Sequence, residues 1–385
     1  LLVGYRFHVL STVVIADPIA AHSRLQSSEL NEWLDKYPET PGARFVHLLR
    51  KHLHYQLGAE DARIKDCHTT RLACFGGAQA RDNFQTTLIP TTSWTLHDFL
   101  HLNGTDKIPR LGTDPVCLPL VLAGQSVLDA GVVAEFGPFA GMTSRCLGLG
   151  LNITGIENVL YAFDTFSNEN NWAAIRQQAS WVKSDKRYDP KQDFLWVWER
   201  VVHSIYPSAQ AIKGPISKAT ANRRVWGNKP VALLSLDSIK DVRHWQDQLE
   251  GIHSLQAGSI LALQDFILSD QPTMLYACLR DYLIPVFTCW DFWEPWIFIV
   301  KKKVLLRLPC ECMKKLQDND ADKMEKQALQ DLELMGDSTM SETKNKTMSK
   351  LINLFRYDGL CNTRAIRKRA AAGRIICAKM KSEME

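Results

Sequence analysis

The stretch Val132-Val133-Ala134-Glu135-Phe136-Gly137-Pro138-Phe139-Ala140-Gly141 constrains the fold more than any other part of the 385-residue sequence. Val132 to Phe136 is an apolar run of strand length. A turn carrying Gly137, Pro138 and Gly141 follows, and from about Met142 to Leu149 the spacing of apolar residues becomes helical. A strand entering a helix through a glycine turn is the opening unit of a largely parallel sheet.

The pattern repeats downstream. Val159 to Phe163 reads as a second strand ending at Asp164, Ala209 to Lys213 as a third, and Val231 to Leu236 as a fourth ending at Asp237. Ser259 to Leu263 reads as a fifth, ending at Asp265. Helical stretches separate them: 166–204, with six Trp and Phe residues, and 241–255, which Gly258 is expected to stop. After a further helix over Leu275–Leu283, Val286-Phe287-Thr288 and Trp296 to Val300 read as an antiparallel pair, because the connection between them is short. The sequence therefore predicts an α/β fold, a doubly wound, mostly parallel sheet with an antiparallel last strand, over 121–305. Residues 1–120 read as a mostly helical N-terminal extension and 306–385 as a helical, charged C-terminal extension.

Composition narrows the partners. Apolar residues make up 45% and charged residues 23% of the chain, as in ordinary globular proteins. A net charge of +4 does not by itself imply nucleic acid, and the basic tail from Arg364 to Lys381 lacks the interleaved aromatics of a nucleic-acid groove. Leu1 to Ala16 is broken by Arg6 and His8 and is too short and polar for a membrane span; it reads as a core segment or a disordered start, with a signal remnant as the alternative. The ten cysteines contain no CxxC pair, which argues against a structural zinc site. A reducing compartment, and hence a cytoplasmic location, is the expectation. Asn103, Asn152 and Asn345 each begin an N-x-T sequon, a short match that chance often supplies. His97 and His101 share one helical face at i and i+4, but the Glu of a zinc-protease motif is missing, and packing is the expected role. Trp290, Trp293 and Trp296 with Phe287, Phe292 and Phe298 are read as core or lid packing.

Glu135, Asp164, Asp237 and Asp265 stand in or at the ends of four strands, and in open α/β sheets ligands bind outside the carboxyl ends of the strands. A dinucleotide fingerprint needs a second glycine where the backbone approaches a pyrophosphate. Phe139 occupies that place and is expected to crowd a dinucleotide. S-adenosylmethionine has no pyrophosphate. It needs room, which Gly137 and Gly141 are expected to supply, and a carboxylate for its ribose, for which Asp164 is suited.

At this point the motifs carry a family. Ala134 to Ser144 resembles the first motif of class I S-adenosylmethionine-dependent methyltransferases. Tyr161-Ala162-Phe163-Asp164-Thr165-Phe166, Ile212-Lys213-Gly214, Leu234-Ser235-Leu236-Asp237-Ser238 and Ile260 to Phe266 resemble, in order, motifs of the macrocin O-methyltransferase-like branch. The resemblance implies a Rossmann-like methyltransferase sheet. It also implies that Glu135, Gly137 and Gly141 line the methionine end of the cofactor, that Asp164 holds the ribose, and that Lys213 and Gly214 lie near the adenine. It further implies O-methylation of a small hydroxylated acceptor.

The resemblance breaks at the metal. The branch has a carboxylate cluster for Mg2+, and here Ile239 and Gln264 replace two of its acids. Asp237 and Asp265 remain as the metal pair, with water completing the shell. Asp237 and, as a metal-free base, His244 are the candidate catalytic residues. The missing acids keep a second reading open: a catalytically inactive binding protein built on the same fold. Nothing in the sequence fixes the oligomeric state.

Overall fold

The computed structural model describes residues 28–60, 101–103, 105–109, 118–157, 159–167, 169–214, 229–238, 255–264, 275–276, 279–287 and 295–304. Its helices are α1 (Ser28–Lys36), α2 (Pro41–Glu60), α3 (Leu118–Ser126), α4 (Met142–Ile153), α5 (Glu169–Gln178), α6 (Ser180–Ser184) and α7 (Leu195–His203). Its main strands are β1 (Val132–Phe136), β2 (Leu160–Asp164), β3 (Gln210–Lys213), β4 (Val231–Leu236), β5 (Leu255–Leu263), β6 (Leu283–Phe287) and β7 (Trp296–Val300).

The seven strands form one sheet in the order β3-β2-β1-β4-β5-β7-β6. Neighbours from β3 to β5 are parallel, and β7 runs antiparallel to both β5 and β6. This is the expected α/β, Rossmann-like methyltransferase sheet with its reversed last strand. The order turns back between β1 and β4, the kind of switch point at which open α/β sheets bind ligands outside the carboxyl ends of the strands. Every residue of β1, β4 and β7 is buried, which explains why their sequences are continuous rather than alternating: both faces of the sheet are covered.

The covering helices pack closely. A Cβ on Gly150 would lie 2.2 Å from the Val121 carbonyl oxygen, and one on Gly124 2.5 Å from that of Leu147, so α3 and α4 meet backbone to backbone. α2 packs on α3 and on β5. Trp33 of α1 donates its indole N–H to the Lys301 carbonyl at 3.2 Å, just beyond β7, and the Lys301 ammonium pairs with Glu29. Leu30, Trp33, Phe45 and Val46 thus share one core with Leu233, Ile260 and Ile299 of the sheet.

Several local expectations change. Gly258 does not stop a helix: it lies inside β5 with φ 90°, where Leu255 already pairs with Val231. The register with β4 shifts there, and the glycine serves as the irregular residue of a strand. The helix expected over 275–283 has helical residues at Leu275 and Tyr276, but gives way to a 3-10 turn at Arg280–Tyr282 and to β6 from Leu283. β6 is an edge strand, where Pro285 is tolerated despite its missing donor. His101 is not helical; it pairs with Lys107 in a two-residue antiparallel bridge, His101–Leu102 with Asp106–Lys107. Cys146, buried in α4, is disulfide-bonded. Its partner and the other cysteines lie outside the described residues, as do Trp290, Phe292 and Trp293. Trp296 and Phe298 are core residues, Phe298 stacking on Tyr276 at 5.0 Å. No helix among the described residues is long and apolar enough to cross a membrane.

Candidate functional site

Backbone hydrogen bonds align the carboxyl ends of adjacent strands. The Gly214 N–H donates to the Asp164 carbonyl, Gly137 to Phe163, Asp237 to Phe136 and Gln264 to Leu236, each at 2.9 Å. Lys213 and Gly214, Asp164, Glu135 with Gly137, and Asp237 therefore stand side by side along one end of the sheet. His244 and Asp265 lie outside the described residues, as does Ile239.

The glycine turn is tight. Gly137 has φ 83° and Gly141 φ 95°, values that a side chain disfavours. On the side where a Cβ would stand, protein atoms lie close to both glycines. A Cβ on Gly137 would meet Ser238 at 3.0 Å, and one on Gly141 would meet Val202 and Trp198 of α7 at 2.8 and 2.9 Å. On that side the neighbours of the two glycines come from the loop after β4 and from α7. Phe139 departs from its expected role. It adopts the left-handed conformation, φ 49°, and its ring is buried in the core, 6.0 Å from Phe194. A core side chain does not carry the crowding argument against a dinucleotide.

Glu135 is the unusual group. It is fully buried in the centre of the sheet. The Ser144 hydroxyl donates to its Oε2, the Trp198 indole N–H donates to Ser144 Oγ at 2.9 Å, and Oε1 has no hydrogen-bond partner. Burial raises its pKa from 4.5 to about 7; the Ser144 and Thr143 hydroxyls oppose the rise and the Asp164 charge adds to it. Asp164 is also raised, chiefly by burial, against which the Phe166 N–H, the Thr165 hydroxyl and the Phe139 N–H act. The Phe166 N–H is 2.9 Å from Asp164 Oδ1. Lys213 is exposed and pairs with Asp193, beside α7. Gln264, at the position of a missing acid, is buried and donates from Nε2 to Ser235 Oγ at 3.2 Å.

The aromatic segment 166–203 and the 101–107 bridge meet beside this turn. Phe166, Trp172, Phe194 and Trp198 pack edge-on or tilted against one another. Trp181 donates to the Lys107 carbonyl at 2.8 Å, and Arg200 lies over the Trp181 ring while pairing with Asp106 at 2.9 Å. Ser144 and Trp198 were not legible as site residues, since only the fold brings α7 onto the turn. Among the described residues, no group of three or more His, Cys, Asp or Glu side chains is arranged to hold a metal.

No protein-family model matches the chain, and no curated protein matches it by sequence. Solved structures do. An O-methyltransferase from Bacillus cereus, in complex with SAH, is 14% identical over 58% of this chain and 97% of that one, with a TM-score of 0.37. CalS11, a TDP-rhamnose 3'-O-methyltransferase of calicheamicin biosynthesis, is 15% identical over 60% of this chain and 96% of its own, with a TM-score of 0.34. An rRNA methylase from Streptococcus thermophilus is 14% identical over 47% of this chain and 92% of its own, with a TM-score of 0.27. At these scores the assignment of fold rests on the strand order itself.

Proposed function

We propose that the chain is an S-adenosylmethionine-dependent methyltransferase that methylates a small hydroxylated acceptor on oxygen. The observation that carries this reading is Glu135 Oε1, a buried carboxylate oxygen with no hydrogen-bond partner among the described residues, near the carboxyl end of β1 at the switch point of the sheet. A buried acceptor left unpaired calls for a donor, and a cationic ammonium next to a sulfonium supplies one. In this reading Glu135, Gly137 and Gly141 bound the methionine end of the cofactor, Asp164 binds the ribose hydroxyls, and Lys213 and Gly214 border the adenine. The cofactor supplies an electrophilic methyl group; the chain orients the acceptor, takes its proton and excludes water. Asp237 and His244 are the proposed catalytic residues, and Asp237 with Asp265 the proposed Mg2+ pair.

Calorimetry with S-adenosylhomocysteine and with NAD tests the reading. Binding of the first and not the second is expected, with affinity lost in Asp164→Ala; binding of NAD alone overturns it. A second reading, an inactive binding protein on the same fold, draws on Gln264, which stands where the resemblance has an acid and donates from Nε2 to Ser235 Oγ. Methyl transfer from labelled cofactor to any member of a panel of hydroxylated small molecules would refute that alternative.

A further inference from the structure

Three buried side chains join α7 to the cofactor turn. The Trp198 indole donates to Ser144 Oγ at 2.9 Å, and the Ser144 hydroxyl donates to Glu135 Oε2. A hydroxyl has one proton to give; accepting the indole N–H directs that proton to the carboxylate. Trp198 cannot move away easily, because it lies against Gly141 and packs on Phe166 at 6.1 Å and on His203 at 5.7 Å. We propose that Trp198 and Ser144 are positioning residues for Glu135, holding one of its oxygens so that the other is left to accept from the cationic methionine end of S-adenosylmethionine. The proposal rests on the cofactor reading above for the identity of that cation, and on the hydrogen-bond chain for the rest.

The surroundings of Glu135 leave little else to set its state. From α4, Ser144 and Thr143 favour the charged form, while Arg145 is turned to the Val201 carbonyl at 2.8 Å and to the Ser204 hydroxyl. From β2, Asp164 disfavours the charged form. On β4 the register partner is Ser235, and the charged residue at that strand's end is Asp237. On α7, His203 shares a hydrogen bond with the Ala209 carbonyl at 3.0 Å, and Arg200 pairs with Asp106 and Asp185. Donors to a carboxylate favour its charged form. Loss of the Ser144 hydroxyl should therefore move the titration of Glu135 to higher pH. Loss of the indole N–H, which only orients that hydroxyl, should move it less and in the same direction.

Infrared spectroscopy of the unliganded protein tests this directly, reading the protonated-carboxyl band that Glu135→Gln removes. The wild type should titrate near 7. Ser144→Ala should shift the midpoint upward, Trp198→Phe should shift it less, and Ser144→Thr, which keeps the hydroxyl, should restore it. In parallel, S-adenosylhomocysteine affinity at pH 7 should fall roughly tenfold in Ser144→Ala and converge on the wild-type value at high pH, since one decade of binding corresponds to one decade of proton activity. An unchanged midpoint in both Ser144→Ala and Trp198→Phe, with circular dichroism showing folded protein, overturns the relay. A wild type that binds no S-adenosylhomocysteine defeats the cofactor reading instead, and the infrared titration still decides whether the relay exists.

Discussion

Glu135 is a carboxyl group that water does not reach, and its stability signature follows from that. Its native pKa of about 7 lies above the ordinary 4.5, so between those values the native state holds a proton that the unfolded state has released. Stability then falls as pH rises through that window and levels off above it. At about 1.4 kcal/mol for each decade, the loss is on the order of 3 kcal/mol. Glu135→Gln should remove the slope: urea unfolding at pH 5 and pH 8 should differ in the wild type by that amount more than in the variant. The sequence placed an acid in the middle of a strand. That Ser144 would donate to one of its oxygens was not legible, because that depends on how α4 is rotated above β1. Asp237 is a simpler case. Asp237→Ala should lower turnover at least tenfold more than it lowers cofactor affinity, measured by paired kinetics and calorimetry. EDTA then separates the routes, since activity lost to chelation and restored by Mg2+ supports the metal pair, and activity unchanged supports His244 or proximity alone.

At the scale of elements, close approach decides more than propensity. Gly150 sits inside α4, where Ala would ordinarily gain about 1 kcal/mol. Here an added Cβ would lie 2.2 Å from one backbone atom of α3 and 2.7 Å from another. Overpacking of this kind costs roughly 1–3 kcal/mol and should win; Gly150→Ala should melt at a lower temperature than the wild type. The strands were legible to within a few residues, since fully apolar runs such as Val231 to Leu236 have no reading as surface. β5 was legible only in its second half. Leu255-Gln256-Ala257 lacks the apolar continuity of a buried strand, and Gly258 carries the same signal at a helix end as in a strand irregularity. The bridge at His101 was missed because a two-residue strand has no period to detect. What stands against the Cβ side of the two turn glycines was also invisible, because Trp198 and Ser238 come from elsewhere in the chain.

For the molecule as a whole, the position of β7 has a consequence for synthesis. The last strand is inserted between β5 and β6, and the Trp33 indole is bonded to Lys301, 268 residues later. A nascent chain emerging from the ribosome therefore carries α1, α2 and six strands of the sheet before the element that closes them exists. Until Trp296 to Val300 arrives, β5 presents an open edge with Ile260-Leu261-Ala262-Leu263 on it, and such edges recruit other strands. Ribosome-bound chains ending before Trp296 should be cut readily by protease and held by chaperones, and protection should appear abruptly once Lys301 has cleared the tunnel. If shorter chains are already protected, the sheet completes itself without β7. The fold thus ties the timing of its completion to the arrival of one short, wholly apolar segment that is made after every other strand of the sheet.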